Sequence, residues 1–284
     1  MSDANRSTGA LENVDAAVVE GFGKEWAAFD QSGVSRQELR RAFEKYFAIF
    51  PASALNEQAV GFDAGCGSGR WASFVAPSVK ELHCVDASAE ALAVAKRMLG
   101  AFGNVQFHHS SVADMSLPDG SMDFGYSLGV LHHLPDTQSA LNHCSQKLKP
   151  GAPFLLYLYY AFDNRPLWFR ALWRVSDAAR RMISRLPFAL QHFVSEVIAL
   201  FFYWPFARIA RIFENRKWAA SLPLFFYRRS SFYIMRNDAL DRFATKLEKR
   251  FTAAQIVAMM QNAGFENIQV NPDEPYWCVS GTRR

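Results

Sequence analysis

Several features that mark large protein classes are missing from this sequence of 284 residues. Its four cysteines form no Cys-x-x-Cys pair, which argues against zinc binding and predicts a reduced, cytoplasmic chain without disulfides. A net charge of +4 is too small to predict a nucleic-acid partner. The most apolar segment, between Glu196 and Arg208, holds eleven uncharged residues, whereas a bilayer span needs about 20.

The amino-terminal stretch is also poor in apolar residues. Because MSDANRSTGALENVD contains no apolar core, we predict no signal peptide, and we expect residues 1–13 to be disordered. We find no internal repeat and no low-complexity tract. The chain as a whole is 50% hydrophobic, which is enough to bury a substantial core.

What the sequence does contain is an alternation of short apolar runs with helical stretches. The apolar runs predict strands at 59–64, 81–86, 104–109, 121–130, 152–160, 266–271 and 276–281. Helical patterns occupy 36–50, 88–99, 137–148 and 252–265. Such β–α alternation predicts an α/β fold, with a mostly parallel sheet covered by helices on both faces.

The alternation stops between residues 161 and 249. Residues 166–187 form a predicted amphipathic helix with one charged stripe, formed by Arg170, Arg174, Asp177, Arg181 and Arg185. Its opposite side is mainly apolar and carries Trp168, Leu172, Val175, Met182 and Leu186. A helix pair at 188–215 is expected to bend or break near Pro205. The predicted divisions are an N-terminal helical segment (1–54), an α/β core (55–160 and 250–284) and an inserted helical cap (161–249).

A glycine-rich loop, VGFDAGCGSGR at 60–70, follows the first strand of the core. Gly65, Gly67 and Gly69 allow positive φ and let a ligand approach backbone N–H groups. The loop lies at the carboxyl end of a strand, where open α/β sheets bind ligands. Arg70 stands where a dinucleotide-binding fingerprint has glycine, and the Gly-Lys-Ser/Thr of a phosphate-binding loop is absent. A sharp structural turn is the alternative interpretation.

A second acid strengthens the ligand-binding interpretation. Asp86 ends the next predicted strand, 23 residues after Asp63, and a carboxylate there can accept both hydroxyls of a ribose. Together with the glycine loop it predicts a nucleoside ligand that lacks a bound pyrophosphate. The alternative for Asp86 is a helix-capping acid near Ser88, the predicted N-cap of the helix at 88–99.

These segments make the chain resemble the class I S-adenosylmethionine-dependent methyltransferases, in particular their broad small-molecule (type 11-like) group. The resemblance covers about 55–160 and 250–282, and it rests on DAGCGSG, VDAS, LPDGSMDFGYSLGVLHHLPD, LKPGAPFLLY and the last helix and strands. It implies a doubly wound, Rossmann-like fold with a seven-stranded, mostly parallel sheet and a helical cap inserted after strand five. It also implies S-adenosyl-L-methionine as the cofactor and methyl transfer as the activity.

The resemblance further implies roles for individual residues. The methionine part and the sugar of the cofactor would contact Asp63, Gly65, Gly67 and Gly69. Asp86 would hold the ribose, Ala87 would lie beside the adenine, and Leu128 and Gly129 would lie along the cofactor. The family usually has an acid that caps the adenine amine, but Ser111 and then Val112 occupy that position here. Either Ser111 makes a weaker contact, or Asp114 turns in.

Two histidines, His132 and His133, follow the fourth predicted strand in LHHLPD. In related enzymes the residue at this place can face the methyl group, so His133 is a candidate general base, with an ordinary pKa near 6.5. Alternatively the two histidines cap a turn or pack under the cofactor. No carboxylate or cysteine spacing combines with them, or with His108 and His109, into a predicted metal site.

The cap leaves three interpretations open. Residues 160–217 contain ten basic and four acidic residues and many aromatic ones. The aromatic residues form the core of the cap, or line a pocket for a large apolar acceptor, or rest on an anionic membrane surface through 161–217. A protruding aromatic cap could also pair two subunits into a homodimer.

Acceptor-binding candidates lie outside the cofactor motifs. They are Tyr160, at the end of the fifth predicted strand, and Tyr227, Arg228, Tyr233 and Asp238, in the segment that returns from the cap. An ordinary polar loop and helix cap is the alternative for that segment, 222–243. Trp26, in FGKEWAAFD, either folds over the cofactor as a lid or packs against the cap.

The resulting prediction is a methyltransferase of secondary or specialised metabolism. Its acceptor would be a small or medium-sized, rather hydrophobic molecule with an O, N or C nucleophile. Nucleic acid is disfavoured, because SLGVLHH replaces the Asn/Asp-Pro-Pro-aromatic motif of amine-directed enzymes. The alternatives are a non-catalytic sensor or assembly protein that binds S-adenosylmethionine, and a membrane-surface lipid or isoprenoid methyltransferase.

Overall fold

Two helices precede the sheet in the computed structural model, which describes residues 13–284, with the side chains of residues 217 and 220 left out. They are α1 (Ala16–Ala28) and α2 (Arg36–Tyr46). Asp15 caps α1 by accepting from the N–H groups of Ala17 and Val18. The predicted helix at 36–50 ends early, at Tyr46, and tight turns lead to Pro51. The expectation of disorder for residues 1–12 lies outside the described range.

Five strands and three helices then alternate, as the sequence predicts. They are β1 (Val60–Ala64), α3 (Ala72–Val75), β2 (Glu81–Asp86), α4 (Ala89–Leu99), β3 (Val105–His109), β4 (Phe124–Leu128), α5 (Thr137–Lys147) and β5 (Pro153–Tyr157). The fourth and fifth strands are shorter than their apolar runs, and Met122 and Tyr160 beyond their ends form isolated β-bridges.

The cap consists mainly of α6 (Leu167–Ile183), α7 (Phe188–Ile198), α8 (Trp204–Ile212) and α9 (Phe232–Ala244). Of the two alternatives near Pro205, the break is wrong, because a π-helical turn, Ala199–Tyr203, joins α7 to α8, and the bend stays a prediction. Pro205 lies in the first turn of α8, directly after the π turn. Proline has no backbone N–H to donate, and the π turn lets the helix continue without that hydrogen bond.

The joined helix runs from Phe188 to Ile212, and its 25 residues are long and apolar enough to cross a membrane by length and composition alone. The uncharged stretch between Glu196 and Arg208 predicts the opposite, because it is shorter than the helix that contains it. In the structure the helix extends beyond both of these charged residues.

The chain returns to the sheet through α10 (Ala253–Asn262), β6 (Phe265–Val270) and β7 (Cys278–Arg283). The sheet has seven strands in the order β3-β2-β1-β4-β5-β7-β6. The first five are parallel, and β7 runs antiparallel to both β5 and β6. This confirms the predicted seven-stranded, Rossmann-like class with a helical insertion after strand five.

Both faces of the sheet are buried. One face packs Phe62 and Phe154 against α5 and α10, and the other packs Phe124 and Leu155 with α3 and α4. Full burial of each such side chain contributes about 1.5–3 kcal/mol. Because β1 to β5 are parallel, their carboxyl ends meet at one edge of the sheet, where α1 and the cap cover them.

Candidate cofactor and acceptor site

The glycine loop leaves β1 as a tight bend that is held against β2. The N–H groups of Gly65 and Cys66 donate to the carbonyl of Val85, at 2.8 and 3.0 Å. Gly65 has a φ of +83°, and a Cβ at this position would lie 2.4 Å from Val130 Cγ1. Only glycine fits both restrictions, so the shape of the bend follows from the sequence.

Asp86 connects this loop to the start of α4. Its Oδ2 accepts from the N–H of Gly67 at 2.8 Å, and its Oδ1 accepts from the N–H of Ser88 at 2.9 Å. Ser88 itself caps α4 by accepting from the N–H of Ala91. Burial raises the pKa of Asp86, and the two backbone N–H groups oppose that shift. The carboxylate is thus fixed at the carboxyl end of β2 without being the helix cap.

Buried polar atoms without a hydrogen-bond partner gather along the same edge. Among the described residues they include Ser68 Oγ, Ser110 Oγ, Ser111 Oγ, both ring nitrogens of His132 and Nε2 of His133, while the carboxyl of Asp63 and the hydroxyl of Tyr126 interact with each other. Proteins pair nearly all of their buried polar groups. A row of unpaired groups at the carboxyl ends of parallel strands therefore fits a ligand with several donors and acceptors.

Helix α1 covers this edge. A Cβ on Gly67 would lie 3.0 Å from Trp26 Nε1, so the indole rests directly on the loop. The guanidinium of Arg70 lies 5.3 Å from the centroid of the same indole. Gly23 lets α1 approach α4 closely, since a Cβ there would lie 2.7 Å from Ser88 Oγ. Trp26 therefore contacts the glycine loop directly, and its role as a lid over the cofactor stays a prediction.

Known proteins share this combination of loop and sheet. Residues 62–156 match the family described as a methyltransferase domain. A probable S-adenosylmethionine-dependent methyltransferase of Mycolicibacterium smegmatis is 29% identical over 94 residues, which is 33% of this chain and 35% of that protein. The chain contains a class I S-adenosylmethionine-dependent methyltransferase domain. S-adenosyl-L-methionine is the cofactor of this domain.

The similarity to curated relatives covers the methyltransferase domain and less than half of the whole chain. An uncharacterized protein of Synechococcus is 35% identical over 103 residues, which is 34% of this chain, and the match spans 24% of its own length. A solved chain from the complex of the Haloferax volcanii Trm112 methyltransferase activator is 14% identical, with a TM-score of 0.54. That comparison covers 97% of this chain and 99% of the other, and it shows a shared fold.

Within the methyltransferase domain, the cofactor residues that the sequence predicts lie around one edge. Asp63 is buried, and burial raises the pKa of its carboxyl to about 8, against the opposing charge of Arg70. Ala87 follows Asp86 directly and accepts from His109 Nε2 through its carbonyl, at 3.0 Å. The predicted contacts to the cofactor itself stay predictions.

The open choice between Ser111 and Asp114 has a geometric answer. Ser111 is buried and its Oγ has no partner among the described residues, whereas Asp114 is exposed. Asp114 therefore does not turn in. Val112 is buried beneath the same turn. At the end of β4, Leu128 is buried and Gly129, with a φ of +80°, donates to the carbonyl of Tyr157 at 3.0 Å.

Acidic side chains from α1 and α9 also enter the site. Asp241 accepts a short hydrogen bond from the Tyr159 hydroxyl. Glu25 accepts from Asn237 Nδ2 at 2.6 Å, and both groups are buried. Glu25, Tyr159 and Asp241 are not among the site residues that the sequence predicts. Asp238 and Asp241 are three residues apart and so share one side of α9, a spacing that could have indicated the pair.

One cation is shared among the buried acids of this site. Burial raises the pKa of Asp238 to about 6, and the guanidinium of Arg70 opposes the shift. The same guanidinium opposes the raised pKa of Glu25 and of Asp63. Because three carboxyl groups interact with a single arginine, a further positive charge in the site would be stabilised. This donor set fits a cofactor that carries an ammonium and a sulfonium.

His133 is held in one tautomer. Its Nδ1 lies 2.7 Å from the carbonyl oxygen of Leu247, which can only accept, so Nδ1 carries the proton. Nε2 is therefore a free lone pair, and it is buried without a partner among the described residues. Burial lowers the pKa of the imidazole, while Asp241 opposes this shift. A neutral His133 with an unprotonated Nε2 is the form that a general base requires.

The six acceptor candidates separate into two groups. Trp26 and Asp238 lie near Arg70, and Tyr227 is half-buried, with its hydroxyl hydrogen-bonded to Asp238. Arg228 instead stacks 3.9 Å from the centroid of Phe225 and pairs with Glu214 and Glu274. The hydroxyl of Tyr233 accepts from the N–H of Gln31 at 3.1 Å.

Tyr160 also lies apart from the site, because it packs among aromatic rings that include Phe162 and Tyr276. For Tyr160, Arg228 and Tyr233 the structure favours a packing role, because their rings and polar groups already have partners. The two groups differ in their tertiary contacts, because the face of the returning segment that meets α1 decides which residues lie in the site. No local pattern in the sequence indicates that face.

Proposed function

We propose that the protein transfers the methyl group of S-adenosylmethionine to a small or medium-sized, rather hydrophobic acceptor with an O, N or C nucleophile. The observation that carries the proposal is the row of buried, unpartnered polar atoms along the edge beside the glycine loop. The bound cofactor supplies an activated methyl group. The tasks left to the chain are to orient the acceptor, to exclude water and to accept a proton.

Residues next to this edge suit those tasks. Tyr159, Tyr203 and Tyr227 are enclosed, and burial raises the pKa of each, so these phenols stay neutral around pH 7. Their rings offer apolar surface and π faces to an acceptor. His133 Nε2 would take the proton that an O or N nucleophile loses. Trp26 on α1 would close the site against water.

A membrane-surface lipid or isoprenoid methyltransferase is the second candidate. The specific observation that favours it is the apolar outer side of the cap, where Leu167, Met182 and Ile212 are among the most exposed side chains. In either case we propose a cytoplasmic setting, which the four free, buried cysteines support.

The test of the proposal is cofactor affinity after a change at Asp86. We expect Asp86→Ala to weaken binding of S-adenosylhomocysteine at least about tenfold by calorimetry, since a carboxylate that bonds a ribose is worth about 1.5–3 kcal/mol. Asp86→Asn, which keeps the size of the side chain, separates this loss from misfolding. The matched control is Asp114→Ala, because Asp114 is an exposed acid on the neighbouring turn.

The outcomes discriminate between the candidates. Unchanged affinity in folded Asp86→Ala, or no affinity for the cofactor in the unaltered protein, contradicts the proposal. Labelled product from S-adenosylmethionine and an extract of apolar metabolites supports it. Tight cofactor binding without product from any acceptor favours the non-catalytic sensor or assembly protein.

A further inference from the structure

The outer surface of the cap is apolar. Within residues 13–284, every large apolar side chain that is exposed lies between Leu167 and Trp218. The exposed fraction reaches 77% for Leu167 and 75% for Ile212. Soluble monomers rarely expose continuous apolar patches of this extent, and such patches usually mark an interaction surface.

Helix α6 exposes its apolar side and buries one ion pair on the side that faces the protein. Asp177 and Arg180 are buried and form an ion pair with 2.8 Å between Oδ1 and Nε. Arg180 also donates to the carbonyl of Thr245 at 2.8 Å. On the opposite side, Val175 and Met182 are 69% and 73% exposed. The apolar side of α6 is therefore not part of the core of the cap, whereas the aromatic residues Tyr203 and Phe243 do belong to that core.

The long helix Phe188–Ile212 also exposes apolar side chains on its outer side. Its inner side packs Ala199 and Ala207 against α9 and carries polar groups as well, with Ser195 buried and Glu196 accepting from Arg236 Nε at 2.6 Å. Arg208 donates to the carbonyl of Ser230 at 3.0 Å. A transmembrane position would carry these charged groups into hydrocarbon, which is costly. The helix, about 37 Å long, therefore suits a position along a membrane surface better than one across it.

Positive charge borders this apolar surface. The exposed arginines Arg170, Arg174, Arg185, Arg211 and Arg216 make no ion pair within the described part of the chain. On the exposed surface of α6, Arg170 and Arg174 lie to one side of the apolar side chains. Three of the four acids in this segment, Asp177, Glu196 and Glu214, are already paired with arginines. The surface thus offers cations and apolar side chains together.

We infer that the outer surface of α6 and of Phe188–Ile212 docks on an anionic phospholipid bilayer. The apolar side chains enter the interface, and the bordering arginines extend to the lipid phosphates. A second copy of the chain is a poorer occupant, because an isologous contact would set arginines against arginines. The inference does not depend on methyl transfer, so either proposal can fail without the other.

The test is flotation of the full chain with lipid vesicles. We expect binding to phosphatidylcholine vesicles that contain about 30 mol% phosphatidylglycerol, at least about tenfold weaker binding to phosphatidylcholine alone, and a decrease with added salt. Phe201 and Phe202 are 64% and 55% exposed, so the pair Phe201→Ser and Phe202→Ser should keep the fold. We expect this double variant to bind at least about tenfold more weakly.

The charge requirement has a matched control. We expect Arg170→Glu with Arg174→Glu to weaken binding to the anionic vesicles about tenfold or more. Arg41→Glu with Arg97→Glu makes the same change in net charge at exposed positions on α2 and α4, and should change binding less than about twofold.

Several results would overturn the inference. One is no binding to either type of vesicle, and another is equal binding to both types that is insensitive to the arginine changes. A dimer that dissociates in the Phe201→Ser, Phe202→Ser variant would identify a second copy as the occupant. Release of the protein from membranes by detergent alone, and not by salt or alkaline carbonate, would identify a transmembrane helix.

Discussion

Along the carboxyl edge of the sheet, polar atoms are buried without partners, whereas on the outer side of the cap apolar side chains are exposed without cover. Proteins usually bury apolar side chains and pair their buried polar groups, and the two regions depart from this rule in opposite ways. Each departure has a counterpart of matching chemistry: a polar, cationic cofactor at the edge, and an apolar, anionic surface at the cap. The comparison shows that unpaired polar atoms indicate a polar ligand, whereas exposed apolar side chains indicate an apolar partner.

The strongest test of the inner region is the substitution His133→Gln. We expect kcat to fall about 100-fold, because the amide cannot take up a proton as the imidazole can, while affinity for the cofactor stays within about twofold. Since burial lowers the pKa of His133 below its usual 6.5, the base is already neutral at pH 7. The kcat of the unaltered enzyme should therefore rise with pH only below 6.5 and lose this dependence in the variant.

The control for this variant is His143→Gln. The Nδ1 of His143 also donates to a backbone carbonyl, at 2.8 Å from the oxygen of Ser139, but on α5 away from the cofactor edge. A full kcat in His133→Gln, or an unchanged pH profile, would mean that the two histidines only pack beneath the site.

The outer region can be tested through the two sides of α6. We expect Arg180→Ala to lower the free energy of unfolding by about 3 kcal/mol, because Asp177 would be left buried without its main partner. Val175→Ser, on the exposed side, should change it by less than about 0.5 kcal/mol. Urea unfolding of both variants measures the contrast. Comparable losses would show that the apolar side of α6 is packed in solution.

The smallest expected effect is the release of a proton from Asp63 when the cofactor binds. With a pKa of about 8, the carboxyl is mostly protonated at pH 7, and a positively charged ligand nearby favours the ionised form. Binding of S-adenosylmethionine at pH 7 should therefore release up to about one proton. Calorimetry in two buffers of different ionisation enthalpy measures that number. No dependence on buffer in the unaltered protein, or an undiminished release in Asp63→Asn, would contradict this role.

The parts of the molecule that sequence predicts well are those with local causes. The alternation of strands and helices follows from apolar periodicity, and the bend at Gly65 follows from a position that only glycine fits. The placement of Asp86 beside that bend follows from parallel strands whose ends share one edge. A reader of the sequence alone could reach each of these features.

What the sequence could not predict depends on distant contacts. Periodicity identifies two sides of α6 but does not say which side meets the protein, and here the side with Asp177 and Arg180 does. Glu25 joins the site through Asn237, a residue 212 positions away. The π turn before Pro205 left no signal that separates it from a break in the helix.

Arg180 has a consequence that reaches beyond the stability of the cap. Its guanidinium donates to the carbonyls of Thr245 and Lys246, and the next carbonyl along the chain, that of Leu247, fixes the proton on the imidazole of His133. Three consecutive peptide units therefore link the helix that faces outward to the nitrogen that would deprotonate the acceptor. A disturbance of the cap at Arg180 is therefore expected to reach the segment that fixes the tautomer of His133.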